Sequence, residues 1–465
     1  MDLGRRRGGN GREPARARVD LSAPQLLVAS FAALIAMGTL GFLVLPGLWI
    51  GERPGFVDAL FMATSAVCVT GLSVFDVSSR MTFPGQLWLL ALIQLGGIGI
   101  VTLAALAAAS LGRRTSLEVE EVAVGPTVLM PEGGVGAVVR SVARVTLTVE
   151  ALGALLLWLD WRGSLGNAGA LWPALFHAIS AFCNAGFSTF RDGLATHAGD
   201  LPALAVIALL IITGGLGFLV FEDLQARLRG RRRRVTLHTR LVLITTAVLI
   251  AGATPLYVFF EWNHTLAGHG FVARVANAAF MAVTPRTAGF NTIDYTQVTN
   301  PSLVLTLALM WIGGSPGSTA GGVKTTTAAL LALLFLARLR GRTDVSFANH
   351  SVPDATVQRA VGLAVGAILL LFAFVFMLLW VELPRASAAL DREHFIQLVF
   401  EAQSALGTVG LSMNKTADLS PPGRVLIVLL MFLGRVGPLA ALEAMGRRSR
   451  RKQPYRLGRE DVLVG

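Results

Sequence analysis

Val69-Thr70-Gly71-Leu72, Asn184-Ala185-Gly186-Phe187, Thr287-Ala288-Gly289-Phe290 and Thr408-Val409-Gly410-Leu411 are four copies of one short pattern. Each follows an apolar stretch too short to cross a bilayer, and each precedes a full-length apolar span. The four glycines lie 115, 103 and 121 residues apart. A lone glycine in an apolar span more simply permits close helix packing. Four in register point instead to four loops around one axis, a ring of backbone carbonyls and an ion-conducting pore.

On either side of the loops, each unit reads as apolar span, short apolar helix, glycine loop, apolar span. Unit 1 comprises Ala23–Ile50, Val57–Val67 and Gly85–Leu111. Unit 2 comprises Val138–Trp161, Leu171–Phe182 and Leu201–Leu224. Unit 3 comprises Leu241–Trp262, Val272–Val283 and Leu303–Ala337, and unit 4 Gln358–Val381, His394–Ala405 and Gly423–Met445. The long segments approach the ~20 residues that cross ~30 Å of hydrocarbon. The short ones reach about halfway at ~1.5 Å per residue, so they must enter and return on one side. Irregular backbone at that depth must be buried in protein or face a water-filled cavity. The expected fold is an all-α membrane protein, with about eight transmembrane helices and four re-entrant pore helices in pseudo-fourfold symmetry. Its segments are a basic arm (1–22), repeat 1 (23–112), linker and repeat 2 (113–230), repeat 3 with an intramembrane loop (231–342), repeat 4 (343–446) and a tail (447–465).

Composition agrees. Hydrophobic residues make up 54% and charged residues 15% of the 465, and mean hydropathy is +0.63. A soluble domain of this length carries far more surface charge. The net charge of +12 does not mark nucleic-acid binding. Its basic residues cluster at the ends of spans, at Arg113-Arg114, Arg227 through Arg234, Arg338 through Arg342 and Arg447 through Lys452. By the positive-inside rule both termini and the inter-unit linkers are cytoplasmic, in a multi-pass protein of the cell membrane. The segment from Leu26 to Leu45 imitates a signal peptide but lacks a clear cleavage site, so a retained first span is expected. Cys68 and Cys183 each lie three residues before a repeat glycine and belong to the repeat. No spacing suggests a metal centre or a disulfide framework.

A dehydrating cation needs oxygens in place of its water. Aiming successive carbonyls inward needs backbone angles that glycine permits. The candidate selectivity filter is therefore Val69, Thr70 and Gly71; Asn184, Ala185 and Gly186; Thr287, Ala288 and Gly289; Thr408, Val409 and Gly410. Potassium is expected at these carbonyls and at no other metal site. The short helices would aim their negative ends at the axis. Asp76, Asp192 and Asp294 lie just beyond three loops. They read either as a cation-concentrating mouth or as ordinary solvated charge. Unit 4 has Asn414-Lys415 there, so this ring is incomplete.

Unit 3 departs from symmetry. Leu303–Ala337 is too long for a simple span, and its middle, Gly313-Gly314-Ser315-Pro316-Gly317-Ser318-Thr319-Ala320-Gly321-Gly322, is a poor helix. A broken helix with a loop inside the membrane fits, placed under the filter as a gate. The following Val323-Lys324-Thr325 only approaches a nucleotide P-loop, because Val323 stands where its lysine belongs. Arg435, in Gly434-Arg435-Val436-Gly437-Pro438, is a costly charge in mid-span. It reads as a barrier or a partner of loop carbonyls, or, more blandly, as a structural ion-pair partner of Glu401 or another carboxylate. Lys324 is a weaker member of the gate, since its side chain can simply reach cytoplasm. A membrane enzyme would need buried acid or histidine clusters, whereas His177 and Glu401 stand alone in short helices, so no catalytic residues are assigned.

Together these motifs, with Arg286-Thr287-Ala288-Gly289-Phe290, resemble the Trk/Ktr/HKT superfamily of potassium transporters over residues 25 to 445, and within it the Ktr-type membrane subunit, KtrB. The resemblance implies a four-glycine selectivity filter, the broken unit-3 helix as gating loop, and Arg435 at the constriction. It implies a homodimer with one pore per subunit and a cytoplasmic ring of nucleotide-binding RCK (KtrA-type) subunits. No covalently bound cofactor is implied. Potassium is the substrate, sodium is a possible activator, and lipid is the surrounding partner. Sodium-passing plant relatives can carry serine at the first filter glycine; Gly71 is intact. The Trk-type uptake subunit and a sodium-permeable member are the alternatives.

Overall fold

A computed structural model describes residues 23–110, 134–230, 234–382 and 388–437. The basic arm, the 113–133 linker, residues 438–445 of the last expected span and the 447–465 tail lie outside the described residues.

Each unit opens on a long apolar helix: Ala23–Val44, Gly134–Leu165, Leu237–Glu261 and Asp354–Glu382. A short helix follows: Phe56–Val67, Asn167–Phe182, Phe271–Val283 and Ala388–Gly407. Glycine stands at the N-cap of the first three, at Gly55, Gly166 and Gly270. The returning helices are Phe83–Ser110, Leu201–Leu216 with Phe218–Leu228, Asn300–Trp311 with Thr325–Leu339, and Pro421–Val436. Three of these begin with proline in the first turn behind Asp200, Thr299 or Ser420. Proline has no N–H to leave unsatisfied there, and the side chains of Asp200 and Ser420 accept from Ala203 N and Gly423 N. In units 3 and 4 the first helix ends on the carboxylate that secures this start. Glu261 Oε1 accepts from Thr299 N (2.9 Å) and Oγ1 (2.7 Å). Glu382 Oε1 accepts from Ser420 N (3.0 Å) and Oγ (2.6 Å). Both anions sit at the positive end of a helix dipole.

The sequence leads to about eight spans, that of unit 3 interrupted by an intramembrane loop. Among the described residues four helices are long and apolar enough to cross a membrane, all of them first helices, or five if one bent pair counts as a span. The returning helices of units 2 and 3 are interrupted at glycines, whereas Phe83–Ser110 of unit 1 runs unbroken. The unit-3 helix stops at Trp311 and resumes at Thr325. The expected single span Leu201–Leu224 instead bends by 94° at Gly217, whose φ is +86°. A residue with a Cβ resists that left-handed geometry.

The units close into a ring. The returning helix of unit 1 packs on the first helix of unit 2, and that of unit 2 on the short helix of unit 3. Asn300–Trp311 packs on the short helix of unit 4, and Pro421–Val436 on the short helix of unit 1. Small buried side chains allow this approach, including Ala59, Ala63 and Ala66 in unit 1 and Ala174, Ala178 and Ala181 in unit 2. Outward, large apolar side chains stay exposed along the first helices. Val365, Leu369, Phe372, Phe376 and Trp380 make one such stripe at helical spacing. A stripe of that size and polarity belongs against lipid.

Candidate functional site

The four glycine loops meet. A Cβ added to Gly71 would fall 2.5 Å from Ala185 O, on Gly186 it would fall 2.9 Å from Ala288 O, and on Gly289 2.5 Å from Val409 O. On Gly410 it would run into Thr70 O, which closes the cycle. Each glycine thus abuts the carbonyl just before the next glycine, in the order 1-2-3-4. All four have positive φ, at 96°, 70°, 75° and 90°. These positions exclude a side chain twice over, by conformation and by space.

Sequence reading missed a second feature. Val69, Asn184, Thr287 and Thr408, each two residues before its glycine, also have positive φ, at 55°, 59°, 68° and 48°. Three of them are β-branched, for which this conformation is an outlier. Left-handed residues on either side of a residue of negative φ turn successive carbonyls toward one side. Strain of this kind persists only where the surroundings over-determine it, and it clusters at functional sites. Asparagine is enriched in this region, but nothing in the residue types of Val69, Thr287 and Thr408 would have flagged them.

Hydroxyls on the short helices brace the loops from behind. Ser65 Oγ accepts from Gly71 N (3.1 Å), and Ser404 Oγ accepts from Gly410 N (3.0 Å). Ser180 Oγ donates to Phe187 O (2.8 Å), and Thr284 Oγ1 to Phe290 O (2.5 Å). All four hydroxyl residues are buried. Ser65, Ser180 and Ser404 recur six residues before their glycines, a spacing visible in the sequence. The Asn184 amide nitrogen donates to Ala181 O (3.0 Å) and Ile211 O (3.2 Å), and the other end of the amide lies 3.4 Å from Thr287 Oγ1, joining units 2 and 3.

The loop at 312–324 lies directly beneath. Gly313 N donates to Val323 O (2.8 Å) and Thr325 N to Gly314 O (3.0 Å), so its two ends are zipped together. Ser315 Oγ and Thr325 Oγ1 are 2.9 Å apart. Between those ends the chain reaches two other units. Ser315 N donates to Gly215 O (2.9 Å), and Phe218 N donates to Gly317 O (3.0 Å), so the loop fills the bend of the unit-2 helix. A Cβ on Gly217 would come within 2.8 Å of Pro316 O. Thr319 Oγ1 donates to Phe182 O (3.1 Å) at the end of the unit-2 short helix. Gly321 lies against the Thr408 side chain, and Gly322 close to Gly407. Ser318 and Ala320 are buried within it.

Two cations hold this loop. Arg435, 3% exposed, donates through Nη1 to Thr319 O and through Nη2 to Gly96 O (2.9 Å). Its guanidinium carbon lies 5.9 Å from the Phe31 ring centre. Lys324 Nζ donates to Ala320 O (2.8 Å), so its side chain turns back into the loop and does not extend toward water. Glu401 is not the partner of Arg435. It accepts from Ser412 Oγ, Met413 N and Thr416 Oγ1 on the outer side of its own loop. The outer aspartates also have local partners: Asp76 accepts from Ser78 N (3.0 Å), and Asp294 accepts from Thr296 N (2.9 Å) and Asn414 Nδ2 (3.5 Å). Asp192 is exposed.

A second glycine quartet went unread. Gly96, Gly214 and Gly434 each pack on a main-chain carbonyl four residues before a loop glycine: Val67, Phe182 and Leu406. Gly313, the unit-3 counterpart, packs instead on the carbonyl of Gly321, within the broken helix itself. Gly97, Gly215 and Gly314 follow the members from units 1, 2 and 3, while unit 4 places Arg435 there. This charge therefore stands where three units have no side chain at all.

Four helical units, each dipping a short helix and a glycine loop into one closed ring of carbonyls, define a membrane protein of the cation-transporting class. The chain belongs to the TrkH cation transport protein family, whose model matches residues 25–445. It is 35% identical over 453 residues to the potassium/sodium uptake protein NtpJ of Enterococcus hirae, covering 97% of this chain and 99% of that one. It is 36% identical over 428 residues to the Ktr system potassium uptake protein B of Bacillus subtilis, covering 90% and 92%. Its fold is similar to the crystal structure of the potassium transporter TrkH from Vibrio parahaemolyticus, with a TM-score of 0.72 at 18% identity, covering 94% of this chain and 87% of that chain.

Proposed function

We propose that this protein takes up potassium across the cell (inner) membrane. In this reading the ring of Val69–Gly71, Asn184–Gly186, Thr287–Gly289 and Thr408–Gly410 is the selectivity filter, and its carbonyls replace the water of the permeating ion. The observation that carries it is the cyclic contact of each glycine with the carbonyl preceding the next. The 313–322 loop, clasped by Arg435 and Lys324, is the gate. A positive charge under the ring opposes a cation, and releasing Thr319 O and Ala320 O frees the loop to move.

Both termini are cytoplasmic, a reading supported by the basic residues after the returning helices of units 2 and 3. The working unit is a homodimer governed by a cytoplasmic nucleotide-binding RCK ring of the KtrA type. The likeness to a protein named as part of a Ktr system supports this partner. The relative named for both potassium and sodium favours a second reading, in which sodium also permeates or activates. Rubidium and sodium uptake into cells lacking their own potassium uptake tests both. Growth rescue with rubidium influx is expected; neither rescue nor flux would contradict the proposal.

A further inference from the structure

The short helices carry a set of side chains that neither the ring nor the gate uses. Nine residues before the loop glycines of units 1, 2 and 4 stand Met62, His177 and Glu401. Each touches the serine two residues after the same glycine. Ser73 Oγ lies 3.4 Å from Met62 Sδ, Ser188 Oγ lies 2.9 Å from His177 Nε2, and Ser412 Oγ donates to Glu401 Oε1. In unit 3 the helix residues at this level, Phe280 and Met281, are apolar. His177 and Glu401 are wholly buried.

The hydrogen-bond inventory fixes what each can do. His177 Nδ1 lies 2.8 Å from Pro173 O, which can only accept, so Nδ1 carries the proton. In the neutral ring Nε2 is then the acceptor, and Ser188 Oγ–H, which also lies 3.3 Å from Gly193 O, donates to it at the shorter distance of 2.9 Å. Ser188 Oγ in turn accepts from Phe190 N (2.9 Å), and the Phe190 ring stacks on the imidazole at 4.7 Å. Glu401 takes three donors from one short segment: Ser412 Oγ, Met413 N (3.2 Å) and Thr416 Oγ1 (2.6 Å). A buried carboxylate is tolerable only when so satisfied. The outer end of loop 4 is therefore folded onto this one group.

These contacts bridge from the helix inside each loop to the chain outside it, spanning the residues that carry the ring carbonyls. They limit how far the loop can spread. Units 2 and 4 face each other across the ring, so the two polar struts oppose one another, while units 1 and 3 have soft or apolar contacts.

We propose that His177 and Glu401 are positioning residues of the conduction ring, fixing the radius of loops 2 and 4 and so setting the discrimination between potassium and sodium. The proposal rests on the reading of the four loops as a filter. It differs from a role in folding alone, which would change the amount of assembled protein and its total flux but not the ratio of ions carried.

The full-length protein in liposomes, assayed for rubidium influx and its competition by sodium, tests this. E401A, S412A, H177M and S188A are compared with G410S, which alters the ring itself. The first four are expected to lower the potassium-over-sodium ratio, E401A the most, by about tenfold for loss of a charge-assisted cluster. E401Q keeps one acceptor oxygen for Ser412 and should recover part of it. A ratio unchanged in all four while G410S shifts it would overturn the proposal. A ratio unchanged in G410S as well would overturn the filter reading instead. Should E401A fail to assemble, S412A and S188A, which remove only a loop hydroxyl, decide the matter.

Discussion

At the residue scale the ring is a matter of oxygen-to-carbon clearance. Serine at any of the four glycines must adopt a left-handed conformation, at roughly 1–2 kcal/mol, and must also displace a neighbouring carbonyl. The clearances rank the damage. Gly410, whose Cβ would run into Thr70 O, is expected to suffer most, and Gly186, with 2.9 Å to Ala288 O, least. Rubidium influx and its competition by sodium across G71S, G186S, G289S and G410S measure that order. These glycines were legible because the chain repeats them four times. Their left-handed partners Val69, Asn184, Thr287 and Thr408 were not, because nothing in a valine or threonine announces a positive φ that its surroundings impose. Arg435 was legible as a costly charge, but its acceptors are main-chain oxygens at residues 96 and 319, and a sequence cannot say which carbonyls a fold will orphan.

At the element scale the broken helices decide the outcome. Glycine-rich sequence disclosed the break in unit 3. The matching bend at Gly217 was hidden inside a continuous apolar run, where hydropathy stays high whether or not the helix is straight. Its cause lies elsewhere in the chain, in the unit-3 loop that fills the bend. If that loop is the barrier, deleting residues 315–321 should raise flux severalfold, and unchanged or lower flux would reject the role. Arg435→Ala should act in the same direction by freeing Thr319 O and Gly96 O. Arg435→Lys should fall between, since a compact ammonium lacks the planar fork that reaches both carbonyls. Flux normalised to protein in the membrane distinguishes these outcomes from loss of assembly.

At the scale of the whole molecule, the ring must close between unit 4 and unit 1. The Arg424–Asp58 ion pair stands at that seam, with side chains 19% and 29% exposed. A partly exposed pair contributes roughly 0.2–1 kcal/mol, so it does not hold the ring shut. Close packing of small residues is the larger effect, because added volume in a filled core costs about 1–3 kcal/mol. Asp58→Asn should therefore shift the melting temperature in detergent only slightly. Ala63→Leu, which overfills the contact with Gly38 inside unit 1, should lower it clearly, and the reverse order would contradict the view that small-residue packing outweighs this ion pair. Whether the four loops hold a permeating cation is decided by anomalous diffraction from the protein crystallised in rubidium. Density is expected on the axis, among the carbonyls of Thr70, Ala185, Ala288 and Val409. Rubidium bound elsewhere in a transport-competent protein, with that axis empty, would refute the conduction ring.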